Sequence, residues 1–192
     1  MTDVDALPFA QRYSAAAEAV VTSPTRPSLQ GETDPATLTH LPGVERMRAT
    51  LRGEVPPPPT WYLLGFDLVD VGPRRVTFEL QPMSGHSNYA GTMHGGLISA
   101  LADSAMACAV VTVLEPEAWC ATLELKMNLL RPVGLDGGVL RAEGTVRAQT
   151  KSTALAEVAM TVDGKEVAVG NSTYVIRGNR KLSGGPSLGG DK

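Results

Sequence analysis

Residues 85–111, GHSNYAGTMHGGLISALADSAMACAVV, decide how the rest of the chain is read. A polar, glycine-rich loop runs directly into an apolar segment. That segment opens on two glycines, Gly95 and Gly96, and carries one acid, Asp103, among small apolar residues. Its length, from 96 to about 114, and its lack of turn signals predict a helix rather than a strand. A helix that is apolar nearly all round needs cover on more than one side. The reading is a wrapped sheet, with a second copy of the chain completing the enclosure.

The glycines sit where a helix leaves backbone N–H groups without intrahelical partners and where the macrodipole adds positive potential. His94-Gly95-Gly96 can therefore present N–H groups to an oxygen that gains negative charge, as acyl transfer requires. Phosphate binding draws on the same physics, but GTMHGG fits neither the Walker A nor the dinucleotide pattern. Asp103 follows Gly96 by seven residues, about two turns along the same face and roughly 10 Å away by helix rise. One reacting carbon cannot touch both within one chain. A two-fold dimer brings Asp103 of one copy to the His94-Gly95-Gly96 turn of the other. Plainer roles stand beside these: glycines that only allow close packing, a solvated Asp103, a His94 that hydrogen-bonds its turn, and an Asn88 that closes one.

Working outward, 43–54 (GVERMRATLRGE) predicts an amphipathic helix with Val44, Met47 and Leu51 on one face, stopped by Gly53 and Pro56 to Pro59. The prolines predict a stiff, extended connector. WYLLGFDLVDV suits a first strand, and RRVTFELQP a second with Val76, Phe78 and Leu80 inward. After the helix come TLELKMNLLRP, with Leu123, Leu125, Met127 and Leu129 on one face, and GVLRAEGTVRAQ, alternating through Leu140, Ala142, Gly144, Val146 and Ala148. STALAEVAMTV follows, then the hairpin signal Asp163-Gly164, then EVAVGNSTYVI. Four strands in succession predict an antiparallel meander. YSAAAEAVV suits a short helix in a turn-rich N-terminal region, and the glycine-rich tail GNRKLSGGPSLGGDK reads as flexible.

The chain has 192 residues, 43% of them apolar and 19% charged, which suits one soluble domain with extensions. A net charge of −3 without a basic stripe gives no reason to expect nucleic acid or an anionic membrane. Cys108 and Cys120 read as buried free thiols of a reducing compartment. The N-terminus MTDVDALPF lacks a signal-peptide pattern and no apolar run spans a bilayer, so the cytoplasm is the expected location.

NYAGTMHGGLISALADSAMA resembles the signature of PaaI-like hotdog-fold acyl-CoA thioesterases: an Asn, a Gly, His-Gly-Gly, then Ala-Leu-Ala-Asp. PPPPTWYLLGFDLVDVGPRRVTFEL and TLELKMNLLRPV resemble the flanking strands, and the resemblance covers about 56–177. It implies an α+β hotdog fold, a long central helix wrapped by a curved antiparallel β-sheet, carried here on residues 56–178. Residues 1–55 form an N-terminal helical and irregular extension, and 179–192 a tail. It also implies a homodimer or homotetramer with active sites at the dimer interface, an acyl-CoA substrate and no cofactor.

By position, the Gly95 N–H polarises the thioester carbonyl, Asn88 holds substrate or water, and Asp103 of the other copy is general base or nucleophile. Thr122 orients the water, and His94 has a structural or orienting part. Gly96, Met93 and Lys151 are candidate substrate contacts. Lys151 stands for CoA phosphate binding, although the glycine usual before it is replaced by Thr150. Trp61, Leu64, Met93 and Met106 are candidates for the acyl pocket or simply core. The competing reading is a non-catalytic acyl-CoA-binding hotdog protein. A hydratase on the same fold resembles a different Asp/His motif.

Overall fold

The structure, a computed structural model, describes residues 38–55 and 57–178. The expected helix at YSAAAEAVV and the expected flexible tail lie outside the described residues. Among the described residues three α-helices, α1 (Gly43–Leu51), α2 (Pro59–Leu64) and α3 (Gly95–Val111), accompany six strands. These are β1 (Asp67–Gly72), β2 (Arg75–Leu80), β3 (Trp119–Leu129), β4 (Leu140–Gln149), β5 (Thr153–Val162) and β6 (Lys165–Arg177). All pair antiparallel in one sheet of order β1-β2-β4-β5-β6-β3, wrapped about α3.

The period-two readings locate the inner face. Val76, Phe78, Leu80, Leu140, Ala142 and Met160 are buried, as are the α3 residues Leu101, Ala102, Ala105, Met106 and Ala109 that they enclose. The helix lies so close to β4 that a Cβ on Gly144 would stand 2.4 Å from the Ala105 carbonyl oxygen, which is why that position lacks a side chain. Asp163 and Gly164 both take positive φ (50° and 72°) and join β5 to β6 in a two-residue turn, the backbone that Asp-Gly favours.

Several expectations change. The sequential strands are not a simple meander: β3 pairs with β6 on the far edge, and β4 crosses over to pair with β2. WYLL is not strand but the end of α2, because Pro59 opens a helix at its first position, where a missing N–H costs nothing. Gly65, at φ 74°, ends it, and β1 begins only at Asp67. The proline run is thus a short extended piece at Pro58 followed by a helix start. Ala148 is exposed, because the β4–β5 register shifts between Val146 and Ala148 and the inward alternation stops there. Leu51 is likewise exposed at the end of α1, which buries Gly43, Met47 and Ala49 instead.

Helix α1 belongs to the packed body although it falls within the expected extension. The Gly43 N–H donates to the Leu114 carbonyl at 2.9 Å, and a Cβ at Gly43 would collide with the Val111 carbonyl. Arg46 reaches the Ala118 carbonyl at 2.9 Å, tying α1 to the start of β3. No helix among the described residues is long and apolar enough to cross a membrane.

Candidate active site

His94 is the N-cap of α3, and its Nδ1 accepts the Gly96 N–H at 2.9 Å. The Leu97 and Ile98 N–H groups donate to the His94 carbonyl at 3.0 and 3.2 Å. Of the first four helical donors, only the Gly95 N–H has no partner among the described residues. The expected pair of free amides is therefore one. Gly96 is engaged internally and Gly95 is open. The cap also fixes the ring, since a nitrogen that accepts a hydrogen bond carries no proton and His94 then holds its hydrogen on Nε2.

The loop before the helix is closed on itself. The Asn88 Oδ1 accepts from Ala90 N at 2.9 Å and Thr92 N at 3.2 Å, and its Nδ2 donates to Thr92 Oγ1 at 3.0 Å. Met93 N donates to the Val133 carbonyl and His94 N to the His86 carbonyl, pinning both ends. Asn88 thus shapes the turn and, with Thr92, Met93, Gly95, Ile98, Leu129 and Arg131, lines a cavity of about 230 Å³. The Leu129 side chain lies over Gly95: a Cβ there would come within 2.8 Å of its Cδ1.

Two turns on, Asp103 is half-buried and held by two hydroxyls. Thr122 Oγ1 donates to Asp103 Oδ1 at 3.0 Å, and Tyr174 Oη donates to the same oxygen at 3.2 Å. Asp103 Oδ2 has no partner among the described residues. Thr122, near the start of β3, thus meets Asp103 directly. The hydroxyl's one proton goes to the carboxylate rather than to a water.

Tyr174 was missed. The signal was a tyrosine on the inward face of a strand, where a phenol needs a partner. Burial, the larger cause, and the nearby Asp103 push its ionisation well above the ordinary tyrosine range, so it remains a donor. Burial also raises both thiols, Cys108 strongly and Cys120 to about 11, which leaves them protonated and unreactive at neutral pH.

The remaining candidates separate. Trp61 is core, with its ring edge-to-face on Phe78 at 4.7 Å, and Met106 is fully buried beneath the sheet. Met93 is buried too, but borders the Gly95 cavity. Lys151 is exposed in the β4–β5 turn. The neighbouring Gln149 donates to the Val113 carbonyl, which puts that turn at the far end of α3 from Gly95, about 25 Å by helix rise. Among the described residues no His, Cys, Asp and Glu side chains group as a metal site.

The model of the thioesterase superfamily matches residues 90–169, which include the capped glycine turn, Asp103 and Thr122. Over that segment the chain is similar to the thioesterase superfamily. Its fold is that of solved relatives. The phenylacetic acid degradation-related protein of Ralstonia eutropha JMP134 is 27% identical over 67% of this chain and 98% of its own, at a TM-score of 0.62. A mutant of phenylacetic acid degradation protein PaaI from Thermus thermophilus is 29% identical over 61% and 97%, at 0.57. PaaI of E. coli, at 20% identity over 71% and 94% and a TM-score of 0.62, shares the fold. No curated protein matches the chain. The match and the hotdog fold support thioester hydrolysis in general.

Proposed function

We propose that this protein hydrolyses an acyl-CoA thioester to a free acid and CoA, at sites shared between two copies of the chain. The observation that carries the reading is the pairing of one open helix-start amide, at Gly95, with one carboxylate, Asp103, whose second oxygen is uncommitted. The Gly95 N–H stabilises the oxyanion as the thioester carbonyl is attacked. Asp103 Oδ2 takes a proton from water as base, or attacks the carbonyl carbon itself as nucleophile, the C–S bond breaking to release the CoA thiolate and water then hydrolysing the acyl anhydride on Asp103 to free acid. In the base route the water oxygen bonds to carbon, the C–S bond breaks, and the departing thiolate of CoA receives the proton.

Within one chain the two groups are eight residues apart, about 12 Å of helix rise, too far to share one carbonyl. The edge strand supports a shared site. Leu123 is 63% and Leu129 52% exposed along β3, and Leu125 and Leu130 are also uncovered. An unpaired apolar edge of this length is a template for a second strand. A two-fold pairing of β3 with its copy covers the leucines and sets Asp103 of one copy opposite Gly95 of the other. Thr122 orients Asp103 in this scheme, while Asn88 and Met93 shape the pocket at Gly95. Gly96 serves through its cap. Lys151 has the charge to meet a CoA phosphate, and only on the partner side of such a site.

The test is a series of acyl-CoAs of graded length and aromatic character, with release of free thiol followed. Turnover of at least one, abolished by Asp103→Asn while acyl-CoA still binds, is the expected result. Binding without turnover across the series favours the non-catalytic acyl-CoA-binding reading instead.

A further inference from the structure

We infer that Tyr174 is a positioning residue for the reaction, holding Asp103 Oδ1 through its phenol so that Oδ2 alone faces the reacting water. This rests on the assignment of Asp103 just proposed. Three observations meet at Tyr174. Its side chain is fully buried, so the hydroxyl has no bulk water to satisfy it. The hydroxyl lies 3.2 Å from Asp103 Oδ1 and 3.4 Å from the Asp103 backbone carbonyl, reaching the residue at two points. Tyr174 also pairs with Thr122 across the β6–β3 ladder, so the two donors to Oδ1 stand on adjacent strands and approach the same oxygen.

A single hydroxyl leaves a carboxylate free to rotate about its Cβ–Cγ bond. Two donors on one oxygen fix the plane and differentiate the two oxygens. The phenol also favours the ionised carboxylate, since a donor stabilises the charged acceptor over the neutral one. Burial keeps the phenol protonated and hence donating throughout the neutral range. The β3–β6 bulge between Thr122 and Glu124 falls immediately after this pair, which lets β3 bend away beyond it without disturbing the two donors. The other titratable groups facing this site are the thiols of Cys108 on α3 and Cys120 on β3, both neutral there, with the Arg46 guanidinium of α1 acting on Cys120. None of these replaces the phenol as a donor to Oδ1.

The test is Tyr174→Phe, which keeps the ring and removes only the hydroxyl. Carbon-13 NMR of labelled aspartate in the intact protein should show the Asp103 carboxyl resonance displaced from its wild-type position. With acyl-CoA, kcat should fall about tenfold with KM nearly unchanged. If the phenylalanine variant does not fold, 3-fluorotyrosine at 174, a stronger donor, should displace the carboxyl resonance in the opposite direction. An unchanged carboxyl resonance in either substitution overturns the inference. The control separates the two readings: full activity in Asp103→Asn defeats the assignment of Asp103, whereas a dead Asp103→Asn beside a Tyr174→Phe of wild-type kcat and carboxyl resonance defeats only the role of Tyr174.

Discussion

In the proposed mechanism Asp103 concentrates the chemistry into one side chain. Asp103→Asn keeps the shape and the Thr122 and Tyr174 contacts but removes the charge, and turnover should drop about 100- to 10,000-fold, the span of a general-base contribution. A thiol-release assay reads it. Cys120 makes a different prediction. Burial, the main cause, raises its thiol from the ordinary 9.0 to about 11, against a smaller opposing effect of Arg46. The unfolded chain therefore loses this proton first. The contribution is fully present below pH 9 and is lost as the pH rises through about 11. Thermal melts should show wild type losing its margin over Cys120→Ala across that window, with the margin constant below it. At this scale the sequence was legible where a residue type answers to backbone chemistry: the glycine turn, and the acid two turns on. It was not legible where a side chain answers to a distant strand. The His94 side chain bonding its own turn was among the roles the sequence offered, whereas Tyr174 reaching Asp103 across 71 residues depends on tertiary placement that spacing does not encode.

Between elements, close approach decides most. Helix α3 lies against β4 at Gly144, where even a methyl group meets the Ala105 carbonyl. Gly144→Ala should cost about 1–3 kcal/mol of stability, the usual penalty of overpacking, read as a lower melting temperature without a change in the oligomer. Helix and strand identities followed from periodicity wherever one face was buried, as on β2 and β5. They failed where local chemistry intervened. Pro59 turned an aromatic-aliphatic run into a helix start, and a register shift between Val146 and Ala148 left Ala148 exposed. The pairing of β3 with β6 was not readable, because strand order depends on the wrap around α3 rather than on sequence neighbours.

For the whole molecule, the exposed leucines of β3 and the separation of Gly95 from Asp103 point to the same two-fold assembly. Charging that edge, as in Leu125→Lys combined with Leu129→Lys, should yield a monomer by sedimentation and remove activity with it. The central claim is that one copy supplies the amide and the other the carboxylate. Gly95→Pro removes only the N–H: proline is well accommodated at the first helical position, His94 already has the extended backbone that precedes proline, and the flexible Leu129 tip can yield. Gly95→Pro and Asp103→Asn homodimers should both be inactive. The decisive measurement is the thiol-release rate of the heterodimer purified through two different tags. It carries one intact site if the groups act across the interface and none if they act within a chain. Recovery to about half the wild-type rate is predicted; a heterodimer as inactive as its parents contradicts the account.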